Sequence, residues 1–243
     1  CNPGVTLADT GTGMLMSVTI LGALYRQQAT GQGEHLQLAM QDAMTQYTRL
    51  AYAYRDLNGK AAPRAGAKLF TTGNAPTGIF PCKPGGKNDY VYIYTTRAGN
   101  HHWERLCKLL NREELIDDPR FSGPKERAKN EAVIDDILAE FTKKHTKREA
   151  MKLIGECGVP CGAVLDVAEL YDDEDLNSRG IFQSMDHPER GSYKMPTWPV
   201  KVDGGHLSLP ASPLLGEHVD SVLSEWIGMS PEDIEKLRED GAV

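Results

Sequence analysis

The segment around Asp9 constrains the fold of this chain most strongly, because it joins three local patterns. Val5 to Leu7 is a short apolar run that predicts a strand, and Asp9-Thr10-Gly11-Thr12-Gly13 predicts a turn directly after it. Apolar residues then recur at the spacing of one helical face, at Met14, Val18, Leu21 and Tyr25. A strand, a glycine turn and a helix in this order are typical of a layered α/β domain.

A second strand and helix follow the first pair. Residues 34–38 alternate between polar and apolar side chains and predict a strand, and residues 40–58 predict one long helix that ends at Gly59. This order predicts a mostly parallel sheet. The aromatic and β-branched run Tyr90 to Tyr94 predicts a further strand. Helices are predicted at residues 102–110, 125–144 and 147–156, and a returning strand at 159–164.

Changes in these patterns divide the chain into four parts. Residues 1–62 are predicted to belong to a large α/β domain, and residues 63–85, rich in Pro, Gly, Thr and Asn, to a linker and active-site loop. Residues 86–180 are predicted to form a smaller α/β domain. Residues 181–243 contain two or three predicted strands and two helices, the last of which begins at Ser230.

The charges and cysteines disfavour several classes of protein. With 27 Lys and Arg against 34 Asp and Glu, the net charge of −7 argues against binding to nucleic acid or to an anionic membrane surface. The five cysteines are odd in number and irregularly spaced, which is typical of a reduced cytoplasmic protein. Cys157 and Cys161 lack further ligands for a metal site. The apolar stretch from Met14 to Leu24 is predicted to be too short to span a bilayer.

Asp9 is the residue with the clearest chemical potential. It follows a predicted strand, at the edge where open α/β sheets bind ligands. One interpretation is an N-cap, because Asp accepts hydrogen bonds from the free N–H groups of a first helical turn. The other is a carboxylate nucleophile, with Gly11 and Gly13 allowing a ligand to come close. The glycines do not complete a dinucleotide-binding motif, because the third glycine is missing.

Six short strings, taken together in this order and spacing, resemble the class III CoA-transferases, the formyl-CoA and carnitine CoA-transferase family. The resemblance covers essentially the whole chain. The strings are Leu7-Ala8-Asp9-Thr10-Gly11-Thr12-Gly13-Met14, Ile20-Leu21-Gly22-Ala23-Leu24, Thr30-Gly31-Gln32-Gly33, Met40-Gln41-Asp42-Ala43, Gly158-Val159-Pro160-Cys161-Gly162 and Pro213-Leu214-Leu215-Gly216-Glu217-His218.

The resemblance implies a catalytic role for Asp9. In that family the matching aspartate attacks an acyl-CoA to form a mixed anhydride, which CoA thiolate converts into an aspartyl-CoA thioester. The CoA then passes to a free carboxylic acid. The implied substrates are an acyl-CoA and a small carboxylic acid, with no permanently bound cofactor and no metal.

The resemblance also implies further site residues and a quaternary structure. Gly11, Gly73 and Asn74 are expected to contact substrate, and Met40 is expected to contact CoA. The loop at 71–78 lacks the consecutive glycines of formyl-CoA transferases, so formyl-CoA and oxalate are not implied as the substrates. The expected architecture is part of a Rossmann-like large domain, completed by residues 181–243, plus the smaller domain, in an interlocked cytoplasmic homodimer.

Two alternatives stay open beside the transferase. One is an α-methylacyl-CoA racemase, which would use Asp9 as an acid and base rather than as a nucleophile. The other is a non-catalytic fragment or subunit that becomes active only with a missing N-terminal half. The resemblance implies that this half supplies most CoA contacts, and we expect it to be absent here because the chain starts at Cys1, just before Asp9. We also expect the strands at 5–7 and 36–38 to lack neighbours and to leave apolar surface exposed.

Overall fold

The computed structural model describes residues 4–66, 68, 70, 75–96 and 99–243. It is a mixed α and β structure, as the sequence predicts. The chain divides into two compact units, Cys1–Ala163 and Val164–Val243.

The first unit begins with three helices: α1 (Leu7–Thr30), α2 (Met40–Tyr47) and α3 (Arg49–Asn58). Gly31 ends α1 in the left-handed conformation, with its N–H bonded to the carbonyl of Gln27 at 2.7 Å, as a glycine at this position predicts. The single helix predicted for residues 40–58 is instead two helices. Thr48 leaves the helical conformation between them, with φ −91° and ψ 13°.

The predictions of strands at residues 5–7 and 34–38 are wrong. Residue 7 already belongs to α1, so the glycines of the predicted turn lie inside a helix. Residues 32–39 are not helical, and Ala39 is extended, but no strand among the described residues pairs with this segment. A strand exists only with a hydrogen-bonded neighbour, and alternation in the sequence does not supply one. The parallel sheet predicted here is therefore not present in the described residues.

Helices α1–α3 expose much of their apolar surface, whereas the sequence predicted such exposure for strands at residues 5–7 and 36–38. Gly11 and Ala43 are the buried residues among them. In contrast, Val18, Leu21 and Leu57 are 69%, 66% and 86% exposed. Contiguous apolar surface of this kind marks a face that another element or chain covers.

The length of α1 corrects the prediction that its apolar stretch is too short to span a bilayer. The helix has 24 residues and a mean hydropathy of 1.3 over its most apolar window, and by these criteria alone it could cross a membrane. Helices that are covered by protein meet the same criteria.

The rest of the first unit packs helices against a small antiparallel sheet in the order β1-β2-β3. The strands are β1 (Gly78–Pro81), β2 (Tyr90–Ile93) and β3 (Cys161–Ala163). The helices are α4 (His101–Leu109), α5 (Pro124–Lys129), α6 (Glu131–Thr142) and α7 (Lys147–Glu156), with a 3-10 turn at Glu113–Leu115. Strand β1 lies within the predicted linker and was not expected, whereas β2, β3 and α7 were.

The main hydrophobic core lies between this sheet and helices α4–α7. Val91 and Ile93 of β2 are fully buried, and Leu106, Ile134 and Ile154 meet them from three helices. Full burial of one such side chain stabilises a fold by about 1.5–3 kcal/mol. All residues of the core cluster fall between positions 75 and 159, so α1–α3 contribute nothing to it.

Two core cysteines should resist alkylation in the folded protein. Cys82 and Cys107 are at most 1% exposed, and burial raises the pKa of the Cys107 thiol to about 12 and also raises that of Cys82. Because the thiolate is the reactive form, we expect iodoacetamide at about pH 8 to leave both unmodified. Mass spectrometry of digested protein checks this, and the same reaction in denaturant should label both. Rapid labelling of Cys107 under native conditions would contradict the buried core.

The second unit is built from short elements. Helices α8 (Val167–Tyr171) and α9 (Glu174–Ser178) precede the hairpin β4–β5 (Phe182–His187 and Gly191–Pro196) and the pair β6–β7 (Lys201–Val202 and Gly205–His206). Helices α10 (Val219–Glu225) and α11 (Pro231–Glu239) end the chain. Ser230 caps α11 and accepts from the N–H of Asp233, as predicted.

Candidate active site

Asp9 lies in the first turn of α1, three residues after the N-cap residue Thr6. The prediction that Asp9 itself could be the N-cap is therefore wrong, because the helix begins earlier than the glycines suggested. Its side chain is exposed. The positive end of the helix dipole favours negative charge at this position. The structure thus presents an accessible carboxylate at the start of a long helix.

Helix α2 packs against α1 at Gly11, two positions after Asp9 in the sequence. The Tyr47 hydroxyl donates a hydrogen bond to the Gly11 carbonyl at 2.9 Å. A β-carbon added at Gly11 would lie 2.8 Å from Cε2 of Tyr47, closer than real β-carbons come to other atoms. Glycine is thus needed here for close packing of a side chain. The predicted contact of Gly11 with substrate stays a prediction.

Gly13→Ala should raise the stability of the protein, whereas Gly11→Ala should leave it unchanged or lower it. Alanine favours a helix over glycine by about 1 kcal/mol, and an added β-carbon at Gly13 meets nothing within 4 Å. At Gly11 the added methyl displaces the Tyr47 ring and weakens its hydrogen bond, which cancels that gain or reverses it. Urea unfolding of both variants checks this. Equal stabilisation by both would show that Tyr47 moves away without cost.

Of the other predicted site residues, Met40 lies within the described residues, whereas Gly73 and Asn74 do not. Met40 is the first residue of α2, the helix that packs on α1, and is 54% exposed. It is thus available for the CoA contact predicted for it, which stays a prediction.

Thr12 carries a polar atom that sequence reasoning missed. Its Oγ1 is closed to solvent and has no hydrogen-bond partner among the described residues. Asp9 and Thr12 are three positions apart, so they are neighbours on the helix surface. Nothing in the sequence distinguishes Thr12 from Thr10 or Thr19 of the same helix.

Side chains of α5 and α6 contact the chain just before and just after residues 71–74. Before them, the Lys68 ammonium pairs with Asp135 and lies 3.2 Å from a carboxylate oxygen of Glu131. Burial raises the pKa of Asp135 despite this cation. After residues 71–74, Nε of Arg127 donates to the Ala75 carbonyl at 3.0 Å.

Arg127 is buried, and its contacts explain how the fold accommodates it. Its Nη1 donates to Oδ1 of Asn100 at 2.9 Å and to the Phe121 carbonyl at 3.0 Å. The guanidinium also lies 5.9 Å from the ring centre of Trp103. Burial lowers the pKa of Arg127, and no carboxylate among the described residues forms an ion pair with it. Three oxygen acceptors and an aromatic ring replace the usual counterion.

No group of three or more potential metal-binding side chains occurs within the described parts of the chain.

A protein-family model described as CoA-transferase family III matches residues 1–219. The chain belongs to this family. The resemblance found in the sequence is confirmed. Asp9 and all of α1 lie within the matched region.

Two curated relatives share this family. The formyl-CoA:oxalate CoA-transferase of Streptomyces coelicolor is 30% identical over 254 residues, and that of Rhodopseudomonas palustris strain BisA53 is 31% identical over 258 residues. Each alignment covers 99% of this chain and 60% of the relative. The chain thus spans about 60% of the length of these relatives.

Solved structures resemble the fold. A CAIB/BAIF family protein from Brucella suis matches with a TM-score of 0.72 and 26% identity, over 93% of this chain and 56% of that protein. Rv3272 of Mycobacterium tuberculosis matches with a TM-score of 0.68 at 19% identity, over 89% of this chain and 55% of that one. The second match supports the fold alone.

Proposed function

We propose that this chain carries the nucleophile of an enzyme that moves CoA from an acyl-CoA to a free carboxylic acid. The observation that carries the proposal is Asp9, an exposed carboxylate in the first turn of a 24-residue helix within the region matched by the family. A carboxylate is a competent nucleophile toward a thioester, and a helix N-terminus favours its charged form.

The proposed reaction proceeds through covalent intermediates on Asp9. An Asp9 oxygen attacks the thioester carbonyl, the carbon–sulfur bond breaks, and the products are a mixed anhydride and CoA thiolate. The thiolate then attacks the aspartyl carbonyl and expels the first carboxylate, which leaves an aspartyl-CoA thioester. The acceptor carboxylate reverses both steps and leaves with CoA. Each step exchanges one acyl bond for another, which is the advantage of covalent catalysis.

The substrates are proposed only as chemical classes. The relatives named above act on formyl-CoA and oxalate according to their names. The stretch Thr71-Thr72-Gly73-Asn74-Ala75-Pro76-Thr77-Gly78 lacks the run of glycines expected of those enzymes. We therefore assign this chain an acyl-CoA donor and a small carboxylic acid acceptor. Gly73 and Asn74 are proposed to contact the acceptor, and Met40 to contact CoA.

The exposed surface of α1–α3 supports a proposed assembly. Isolated globular proteins rarely expose apolar patches above a few hundred Å², and side chains such as Val18, Leu21 and Leu57 are more than half exposed here. We propose that further protein of the same enzyme covers this surface, in a cytoplasmic homodimer.

Trapping the covalent intermediate tests the proposed function. The native protein is incubated with an acyl-CoA, quenched, digested and analysed by mass spectrometry. We expect the peptide that contains Asp9 to carry CoA, and we expect hydroxylamine to convert the adduct into a hydroxamate at that position. A racemase forms no adduct and instead exchanges the proton next to the thioester carbonyl for solvent deuterium. Deuterium uptake without an adduct would contradict the transferase.

A further inference from the structure

Among the described residues, the serine and threonine hydroxyl groups of α1 are paired, with one exception. The Thr10 hydroxyl lies 3.0 Å from that of Thr6, just before the helix. Three others donate to the carbonyl four positions earlier, at 2.8 to 2.9 Å; these are Ser17, Thr19 and Thr30. Thr12 forms no such bond, although its Oγ1 is closed to solvent. A buried hydroxyl without a partner is unfavourable, so its presence calls for a group that pairs with it at some stage.

The helix itself limits which group can reach Thr12. Residues three and four positions away are its neighbours on the helix surface, and these are Ala8, Asp9, Leu15 and Met16. Asp9 alone among them has a side-chain oxygen that can accept a strong hydrogen bond. Side chains on a helix also lean toward its N-terminus, so Thr12 is directed toward the turn that contains Asp9.

No group on α2 forms a hydrogen bond with Thr12 within the described residues. The Tyr47 hydroxyl, which contacts this part of α1, already donates to the Gly11 carbonyl. Because Thr12 Oγ1 is closed to solvent, a neighbouring side chain can reach it more readily than a free substrate can. The exposed Asp9 carboxylate is free to turn, since no hydrogen bond to its side chain is present in the described residues.

We propose that the Thr12 hydroxyl is a second catalytic residue, which donates a hydrogen bond to an oxygen of the Asp9 carboxyl group during the reaction. This inference rests on the proposed function of Asp9. When the acyl-CoA binds, the bond orients the carboxylate so that its other oxygen attacks the thioester. When CoA thiolate attacks the aspartyl carbonyl, the same hydroxyl donates to the oxyanion that forms on that carbonyl. No proton is transferred, and the oxyanion collapses by expelling the acyl carboxylate.

A catalytic role and a purely structural role of the Thr12 hydroxyl predict different results for Thr12→Val. Valine has nearly the same shape but no hydroxyl, so the substitution removes an unpaired buried polar atom. Stability should stay the same or rise. Loss of one donor to a developing oxyanion, by contrast, lowers a rate by about 10²-fold or more. Only a catalytic role combines a slower reaction with an undiminished unfolding midpoint.

The experiment measures single-turnover formation of the Asp9–CoA adduct in the native protein and in three variants. We expect Thr12→Val to slow adduct formation by about 10²-fold and Thr12→Ser, which keeps the hydroxyl, to stay within about tenfold of the unsubstituted protein. Thr19→Val is the matched control, because its hydroxyl is bonded to Leu15 and exposed, and its rate should not change. Thermal unfolding of each variant accompanies the rates.

The outcomes separate the two proposals. An adduct that forms at an unchanged rate in Thr12→Val overturns the role of Thr12 and leaves Asp9 as the nucleophile. A slower rate together with a matching loss of stability, or an equal loss in Thr12→Ser, also overturns it. Absence of any adduct on Asp9 in the unsubstituted protein overturns the proposed function, and the role of Thr12 with it.

Discussion

Asp9→Ala should abolish CoA exchange between an acyl-CoA and a free acid in the native protein, with a fall in rate of about 10⁴-fold or more. Alanine cannot form the anhydride or the thioester, so no step of the proposed pathway survives. The fold should persist, because the Asp9 side chain is exposed and buries no packing surface. The measurement is the rate of appearance of the new acyl-CoA by chromatography, with circular dichroism to verify folding.

Asp42→Ala is the matched control for this prediction. Asp42 occupies the same position in α2 as Asp9 does in α1, three residues after the N-cap, and is also exposed. Both substitutions remove a favourable interaction with a helix dipole, so they should change stability alike. Only Asp9→Ala should stop exchange. Full exchange activity in Asp9→Ala would show that another group is the nucleophile.

Arg127→Leu should destabilise the first unit by about 3 kcal/mol or more. The substitution leaves three acceptors unpaired, which are the buried carbonyls of Ala75 and Phe121 and the part-buried side-chain oxygen of Asn100. Part of this cost is offset, because leucine removes a buried charge. Urea unfolding followed by tryptophan fluorescence measures the effect, since Trp103 is buried beside Arg127.

Two further variants show whether the geometry or the charge of Arg127 matters. Arg127→Lys keeps the charge but cannot reach three acceptors with one ammonium group, so it should also be destabilising. Arg120→Ala removes an exposed arginine of the same region, which pairs with Asp118 at 2.7 Å, and should have little effect. A loss below about 1 kcal/mol in Arg127→Leu would show that the acceptors find other donors.

The elements predicted most accurately from the sequence are helices whose ends are specified locally. Helix α7 occupies residues 147–156 as predicted, and its start is fixed by a capping box between Thr146 and Glu149. Asp166 and Glu169 form the same arrangement at the start of α8. In both cases the residues that satisfy the first turn lie within three positions of each other, so the sequence contains the whole interaction.

Strands were predicted less well, because a strand depends on residues that are distant in the sequence. Residues 34–38 have the alternation of a strand but no partner among the described residues. Strand β1 lies in a stretch rich in proline and glycine, yet Gly78 to Pro81 pair with Ile93 to Tyr90. Gly11 and Gly13 were likewise predicted to form a turn, but both lie inside α1. Gly11 packs closely against a side chain, and Gly13 faces open space.

The candidate site was also predicted only in part, because some of its features depend on residues that are distant in the sequence. The strings around Asp9 predict the family, which is confirmed, whereas the role of Asp9 itself stays a prediction. Thr12 and Arg127 were missed, because their significance comes from burial and from missing or unusual partners. No local pattern reveals that one threonine of a helix lacks a partner, or that an arginine is buried without an ion pair.

The position of the core has a consequence for how substitutions in this chain are interpreted. Every residue of the core cluster lies between positions 75 and 159, whereas α1–α3 bury almost none of their side chains. A polar substitution on the exposed apolar side of α1 therefore removes few contacts and leaves the unfolding curve of this chain nearly unchanged. In the proposed assembly, sequence variation at those positions is limited by the protein that covers α1, so tolerance measured on this chain alone would exceed the tolerance of the assembled protein.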